Sequence, residues 1–195
     1  MEINRTGGQL LIEALQQQGT DHIFCVPGES FLSALDGLHS VESIRTVICR
    51  HEGGAAMMAD AYGKLTHRPG VCFVSRGPGA SNAASGIHIA SQDSTPLVMF
   101  VGQIERGTTG REAFQEVDYR AMFGYAAKRV EQIEDVDRIP EVVSRAFHTA
   151  VNGRAGPVVV ALPEDMLRDT TADQPVASFR RVESAPAAAA VAEFE

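Results

Sequence analysis

Tryptophan is absent from this sequence of 195 residues, cysteine occurs only three times, and no apolar run approaches the length of a membrane span. Basic residues are in the minority, since 17 lysines and arginines stand against 25 aspartates and glutamates and give a net charge of −8. This balance argues against nucleic acid and against an anionic membrane as partners. The first residues contain no apolar signal core, so the cytoplasm is the expected location.

The three cysteines, Cys25, Cys49 and Cys72, each lie in a β-like apolar run. This placement predicts buried thiols in a reducing compartment and not a disulfide framework. No cysteine or histidine spacing is typical of a metal site, and we expect no metal ligand in this chain. The overall composition, with 44% hydrophobic and 22% charged residues, is that of a globular domain with a core.

Short apolar runs alternate with helical patterns along most of the chain. Strands are predicted at 22–26, 44–48, 71–74, 96–101, 127–133 and 157–162, and helices at 9–18 (capped by Thr6), 31–38, 55–65, 135–151 and from the turn at 75–82 to 91. Between 102 and 118 we predict a long loop with a short helical end at 113–117. Apolar strands that alternate with helices form parallel sheets covered on both faces. The predicted fold class is therefore α/β, a doubly wound, mostly parallel six-stranded sheet with helices on both faces.

The character of the sequence changes near Thr170. The residues that follow include an alanine-rich stretch at 185–192, with Pro175 and Pro186 nearby, and they contain few apolar anchors. We therefore predict a folded domain at 1–170 and a linker at 171–195.

Unusual residues follow four of the predicted strands. The turns are Pro27-Gly28-Glu29, His51-Glu52-Gly53, Ser75-Arg76-Gly77-Pro78-Gly79 and Gly102-Gln103. Because ligands bind outside the carboxyl ends of parallel strands, these turns predict a site at one edge of the sheet. Glu52 lies at the start of a small-residue helix, and from local sequence alone it is better explained as a first-turn acid that complements the helix dipole.

Other kinds of site find less support in the sequence. The Gly-Pro-Gly turn before a helix is compatible with an anion site, yet it is neither a Walker A motif nor a dinucleotide-binding fingerprint. Ser75 is not in a Gly-x-Ser-x-Gly context, and no spacing assembles it with His51 or Asp93 into a hydrolase triad. Taken singly, Gln115 and Lys128 are typical of a solvated loop and a solvated strand edge.

Taken as a set, the turns resemble one family of enzymes. The matching segments are Val26-Pro27-Gly28, Arg50-His51-Glu52-Gly53-Gly54-Ala55-Ala56, Gly70-Val71, Gly77-Pro78-Gly79-Ala80-Ser81-Asn82, Asp93-Ser94-Thr95-Pro96-Leu97, Gly102-Gln103, Ala113-Phe114-Gln115-Glu116-Val117-Asp118, Gly156-Pro157-Val158 and Leu162-Pro163-Glu164-Asp165. In this order and spacing they are similar to the N-terminal, pyrimidine-binding domain of thiamine-diphosphate-dependent enzymes of the acetolactate synthase branch. The resemblance covers about residues 4–168.

The resemblance implies a role for each matching position. In the family, the glutamate at the position of Glu52 hydrogen-bonds N1′ of the cofactor's aminopyrimidine and so activates the cofactor for attack on a 2-keto acid. The resemblance further implies cofactor contacts at Pro27, Gly28, Glu29, Pro78 and Asn82, and substrate or loop contacts at Phe114, Gln115 and Lys128.

Two positions depart from the family pattern. Gly124 stands where the FAD-containing synthases have an arginine, four residues before the lysine that matches Lys128, so the resemblance does not carry FAD over to this chain. Arg76 replaces a small polar residue with a side chain able to narrow or recharge the rim of the pocket. The resemblance therefore implies a carboligase or a 2-keto acid decarboxylase.

The resemblance also implies partners that this sequence does not contain. Family enzymes have a central domain and a C-terminal domain that binds the diphosphate through Mg²⁺ with a Gly-Asp-Gly…Asn motif, which is missing here. We therefore expect one domain of a larger enzyme, inactive alone, whose linker leads toward the central domain and whose active form is a dimer or tetramer. The alternatives are a non-catalytic dimerisation or binding module of the same fold and a generic nucleotide-binding domain. Glu52 favours the enzyme, and the missing phosphate fingerprint disfavours the nucleotide-binding domain.

Overall fold

The computed structural model describes residues 4–172, which form a six-stranded sheet, its flanking helices and a two-stranded ribbon. The strands of the sheet are β2 (His22–Cys25), β3 (Arg45–Ile48), β4 (Gly70–Val74), β5 (Leu97–Gln103), β6 (Arg129–Gln132) and β7 (Pro157–Pro163). The helices are α1 (Gly7–Gln17), α2 (Leu32–His39), α3 (Glu52–Thr66), α4 (Pro78–Gln92), α5 (Tyr119–Phe123), α6 (Ile139–Val151) and α7 (Glu164–Arg168), with 3₁₀ turns at Glu29–Phe31, Arg106–Thr108 and Val136–Arg138. The ribbon pairs β1 (Arg5–Thr6) with β8 (Thr170–Thr171) in antiparallel orientation.

The strand order in the sheet is β3-β2-β4-β5-β7-β6, and every neighbouring pair is parallel. The chain runs from β2 to β3 at one edge and then returns to β4 on the other side of β2. This change of direction creates a topological switch point between β2 and β4. In open parallel sheets, ligands bind in the crevice outside the carboxyl ends of the strands at such a point. The turns after β2 and β4 therefore lie where a ligand site is expected.

Helices cover both faces of the sheet, because β4, β5 and β7 bury every residue and leave no face that water could solvate. On one face α1, α2, α6 and α7 pack around a core that includes Phe73 and Phe100, whose rings stack with centroids 4.9 Å apart. On the other face α3, α4 and α5 pack around Cys72, Met99 and their neighbours. The predicted α/β fold class, with helices on both faces, is confirmed.

The three cysteines are the last residue of β2, the residue after β3 and the central residue of β4. Cys25, Cys49 and Cys72 are all buried free thiols, as the sequence predicts. Burial raises the pKa of the Cys25 thiol to about 12 and raises that of Cys72 as well. Thiols held in this protonated form are poor nucleophiles and poor metal ligands.

The start of α1 is fixed by a reciprocal capping box, which agrees with the predicted cap at Thr6. Thr6 Oγ1 accepts a hydrogen bond from Gln9 N at 3.2 Å, and Gln9 Oε1 accepts one from Thr6 N at 3.0 Å. The neighbouring residue Arg5 pairs with Thr171 in the ribbon. The predicted linker at 171–195 thus begins with a paired residue, and its part from residue 173 onward lies outside the described residues.

The long loop between β5 and α5 differs in detail from its prediction. The predicted helical end at 113–117 is wrong, because Gln115 has φ of 66°, which interrupts a right-handed helix. The helix begins instead at Tyr119, where Asp118 Oδ1 accepts hydrogen bonds from Arg120 N at 2.9 Å and Ala121 N at 3.1 Å. No helix within residues 4–172 has both the length and the apolar character that a membrane crossing requires.

Candidate active site at the carboxyl edge of the sheet

Glu52 is the first residue of α3 and follows directly on the turn after β3. Its predecessor His51 is the N-cap, with Nδ1 accepting a hydrogen bond from Gly53 N at 3.1 Å. The side chain of Glu52 is half-buried at the carboxyl edge of the sheet, where the sequence predicts it. The helix dipole stabilises an acid at this position, so the position alone does not distinguish a functional carboxylate from a structural one.

Asn82 on α4 orients the Glu52 carboxylate. Asn82 Nδ2 donates a hydrogen bond to Glu52 Oε2 at 2.9 Å. The second oxygen, Oε1, lies beside Gly79, 3.5 Å from the position that a Cβ would take there. Within residues 4–172 the structure records no hydrogen bond to Oε1. One oxygen is thus held by a side-chain amide while the other retains its full capacity to accept or share a proton.

The turns after β2 and β4 touch at the switch point. A Cβ on Gly28 would lie 2.7 Å from Ser75 Cβ, which is closer than two carbon atoms approach, so only glycine fits there. Ser30 is fully buried, with its Oγ 3.1 Å from Ser75 Oγ. The same Ser30 oxygen accepts a hydrogen bond from Arg76 N at 3.3 Å. These contacts fix the two turns against each other.

Arg76 forms ion pairs with two carboxylates at this edge, although only 10% of its side chain is exposed. Its Nη2 lies 3.1 Å from Glu29 Oε1, and its Nη1 lies 3.0 Å from Glu164 Oε2. The sequence predicts Arg76 at the rim but does not identify Glu164 as its partner. Glu164 follows Pro163 at the end of β7, a signal that was visible in the sequence, but only the strand order shows that β7 ends near β4.

The loop before α5 lies against the Gly-Pro-Gly turn. A Cβ on Gly77 would lie 2.9 Å from Gln115 Cβ, so the loop and the turn are in direct contact. Tyr119, which the sequence did not single out, donates a hydrogen bond to Gly102 O at 2.9 Å and accepts one from Gly77 N at 3.1 Å. Burial raises the pKa of Tyr119 to about 12, so its hydroxyl remains a donor at neutral pH. Phe114, beside Gln115, is 77% exposed.

Lys128 lies away from this group within the chain, and its role as a substrate or loop contact stays a prediction. It precedes β6 and therefore lies at the amino edge of the parallel sheet, whereas Glu52 lies at the carboxyl edge. Its Nζ donates hydrogen bonds to Asn152 O at 2.7 Å and to Thr149 O, at the end of α6. Burial lowers the pKa of Lys128. Within this chain the side chain stabilises a helix terminus.

The other predicted site residues all follow strands at the carboxyl edge or lie on the loop that contacts it. They are Pro27, Gly28, Glu29, Glu52, Pro78, Asn82, Phe114 and Gln115. In the described part of the chain, no group of three or more histidines, cysteines, aspartates and glutamates could hold a metal ion. The arrangement offers an oriented carboxylate at the carboxyl edge of the sheet, which suits proton sharing with a polar ligand.

Comparison with known proteins places this geometry in a family. Residues 5–122 match the family described as "Thiamine pyrophosphate enzyme, N-terminal TPP binding domain". The chain is 40% identical over 162 residues to an acetolactate synthase isozyme 3 large subunit of Escherichia coli, covering 83% of this chain and 28% of that protein. It is 39% identical over 162 residues to acetolactate synthase 3, chloroplastic, of Brassica napus, covering 83% of this chain and 25% of the relative.

A third relative extends the match along the chain. Acetolactate synthase of Bacillus subtilis is 34% identical over 186 residues, which cover 95% of this chain and 32% of that protein. The chain thus spans about a quarter to a third of the length of these relatives. The chain belongs to the thiamine pyrophosphate enzymes, as an N-terminal TPP-binding domain homologous to that of acetolactate synthases.

Proposed function

We propose that this chain binds the aminopyrimidine of thiamine diphosphate and that Glu52 is the residue that activates it, in an enzyme that decarboxylates or ligates 2-keto acids. One observation carries the proposal. Asn82 holds Glu52 Oε2 at 2.9 Å, while Oε1 has no hydrogen bond within residues 4–172. A ring nitrogen of an aminopyrimidine is a weak base that matches an oxygen able to share a proton.

The residues of this chain would bind and orient, while the cofactor, when bound, supplies the electron sink that 2-keto acid chemistry needs. Asn82 keeps the carboxylate plane fixed, so that Oε1 meets a ring nitrogen without a reorganisation of the side chain. Pro27, Gly28, Glu29 and Pro78 are proposed to line the same crevice, because the Gly28–Ser75 contact brings their turns together. We propose that Phe114 and Gln115 face the substrate.

The remaining parts of the enzyme would lie outside this chain. The proposal assigns the diphosphate and Mg²⁺ to a C-terminal domain and the complete site to a dimer or tetramer, since the relatives are about three times as long as this chain. It includes no FAD, because Gly124 replaces the arginine of the FAD-containing synthases. The net charge of −8 supports a small-molecule substrate over nucleic acid or an anionic membrane, and we place the enzyme in the cytoplasm. The alternative is a non-catalytic dimerisation or binding module.

The test uses the full-length protein that contains this chain, loaded with thiamine diphosphate and Mg²⁺. Hydrogen–deuterium exchange at C2 of the bound cofactor is expected to fall about 10²- to 10⁴-fold in Glu52→Gln, the range that general acid–base groups contribute. Glu141→Gln, on the exposed face of α6, is the matched control and should exchange like the wild type.

Wild-type exchange in Glu52→Gln would contradict the role of this carboxylate. A wild-type protein that neither binds nor activates the cofactor would support the non-catalytic module instead.

A further inference from the structure

Arg76 has a donor that the structure leaves unsatisfied. Its guanidinium pairs with Glu29 through Nη2 and with Glu164 through Nη1. The third nitrogen, Nε, is buried and has no hydrogen-bond partner among the described residues. A buried charged donor without a partner is costly, so such groups usually mark an acceptor that arrives with a ligand or a bound water.

The geometry of the guanidinium shows what kind of acceptor would fit. Nε–H and one N–H of Nη2 point the same way along one edge of the planar group, and a carboxylate can accept both at once. Glu29 contacts this edge through one oxygen alone, with Oε1 3.1 Å from Arg76 Nη2. Arg76 Nε, on the same edge, is left without a partner among the described residues. Glu29 therefore occupies half of a bidentate carboxylate site.

The two carboxylates beside Arg76 differ in how firmly they are held. Glu164 is the first residue of α7, is 28% exposed and lies 3.3 Å from Arg168 Nη1 as well as 3.0 Å from Arg76. Glu29 is 69% exposed, and an ion pair at such a position contributes little net stability. Glu164 is thus a permanent counter-charge, whereas Glu29 can be exchanged for another carboxylate at low cost.

The exchangeable edge lies at the switch point. Glu29 directly follows Gly28, which contacts the turn that carries Arg76, and the Arg76 amide is bonded to the buried Ser30. The proposed cofactor contacts Pro27 and Gly28 lie in the same turn as Glu29. A carboxylate that replaced Glu29 would therefore lie beside the proposed reaction centre.

We propose that Arg76 is a substrate-binding residue that takes the carboxylate of the 2-keto acid on its Nε–Nη2 edge, and that Glu29 occupies this edge until substrate displaces it. The inference rests on the proposed function, which supplies the class of substrate. It assigns to Arg76 the discrimination between a charged 2-keto acid and an uncharged carbonyl compound. It also assigns to Glu29 an inhibitory role, since its carboxylate competes with that of the substrate.

The experiment measures, by calorimetry, the binding of two small probes to the full-length holoenzyme. One probe carries a carboxylate and the other is uncharged. Oxamate carries the carboxylate of a 2-keto acid, and pyruvamide is a neutral compound of similar size. In Arg76→Gln the dissociation constant of oxamate is expected to rise about 10- to 100-fold, the effect of losing charge-assisted hydrogen bonds, with that of pyruvamide unchanged. Arg168→Gln, which removes the other arginine from Glu164, is the matched control and should bind both probes like the wild type.

Glu29→Gln gives the decisive second measurement, because removal of the competing carboxylate should tighten oxamate binding by a few-fold. A purely structural brace would predict no change or weaker binding, and either result would overturn the proposal. Equal weakening of oxamate and pyruvamide in Arg76→Gln would overturn it as well. If Arg76→Gln does not fold, Glu29→Gln alone decides between the two roles.

Exchange at C2 of thiamine diphosphate separates this inference from the proposed function. If the wild-type holoenzyme shows no exchange, the proposed function fails. If Arg76→Gln retains exchange and binds oxamate like the wild type, only the role of Arg76 fails.

Discussion

The crossing of α3 and α4 positions both Glu52 and Asn82, and it depends on one glycine. A Cβ on Gly86 would lie 2.4 Å from Ala56 Cβ and 3.0 Å from the Ala56 carbonyl carbon. Since carbon atoms in contact prefer about 3.5–4.0 Å, Gly86→Ala must move the helices apart by roughly 1 Å. The perturbation is a single methyl group placed at the closest approach of the two helices.

The expected effect is a balance of two terms. Replacing a helical glycine by alanine gains about 1 kcal/mol of helix propensity. Overpacking a tight contact costs about 1–3 kcal/mol, so the net change in Gly86→Ala lies between about 0 and 2 kcal/mol of destabilisation. At Gly54 in α3 a Cβ would meet nothing within 4 Å, so Gly54→Ala should show only the gain. The two variants are therefore expected to differ by about 1–3 kcal/mol.

Urea unfolding of the 195-residue chain measures both free energies of unfolding. The double variant Ala56→Gly/Gly86→Ala moves the methyl group to the other helix and should recover much of the packing cost, which appears as a coupling energy in the double-mutant cycle. Equal stabilisation by Gly86→Ala and Gly54→Ala would refute the close crossing. Strict additivity in the cycle would show that Ala56 is not the residue that resists the methyl group.

Three further predictions concern other parts of the chain. Burial acts to raise the pKa of Asp21, but hydrogen bonds from Tyr62 and His22 and the charge of Arg68 lower it from 3.8 to about 2. The stabilising contribution of the ionised carboxylate is therefore complete above pH 3.8 and is lost as the pH falls toward 2. Asp21→Asn should flatten the dependence of unfolding free energy on pH in that window. Glu116 accepts hydrogen bonds from the amides of Gly110 and Ala113 at 2.6 and 3.1 Å, so Glu116→Ala should speed amide hydrogen exchange at both residues, and unchanged exchange would contradict this brace. The purified full-length protein should lack the visible absorption band of a flavin. A stoichiometric amount of bound FAD would show that Gly124 does not predict FAD content.

The fold could be predicted from the sequence because its signals are local and repeated. Apolar runs such as 71–74 and 157–162 are too continuous for a half-solvated sheet, and each is followed by a turn and a helical pattern. Thr6 marked the start of α1 for the same reason, since a cap and its partner lie within three residues. The loop before α5 was harder, because Gln115, whose backbone is left-handed, lies against Gly77, nearly forty positions earlier in the chain.

The site was only partly predictable, and the reason is also physical. Parallel strands bring their carboxyl ends together, which was enough to group Glu52 with the turns after β2 and β4. Strand order is not encoded in any single motif, so the pairing of Arg76 with Glu164 could not be derived. The same reasoning applies to Lys128. Its position at the amino edge of the sheet follows only once the start of β6 at Arg129 is known.

The ribbon of β1 and β8 determines how the domain would respond to a pull on its two ends. Arg5 pairs with Thr171 and Thr6 with Thr170, so the chain enters and leaves at the same end of the ribbon. A force that draws these ends apart opens the pairs one after another and does not load them together in shear. These two residue pairs therefore open before such a force reaches α1 and, through it, the six-stranded sheet.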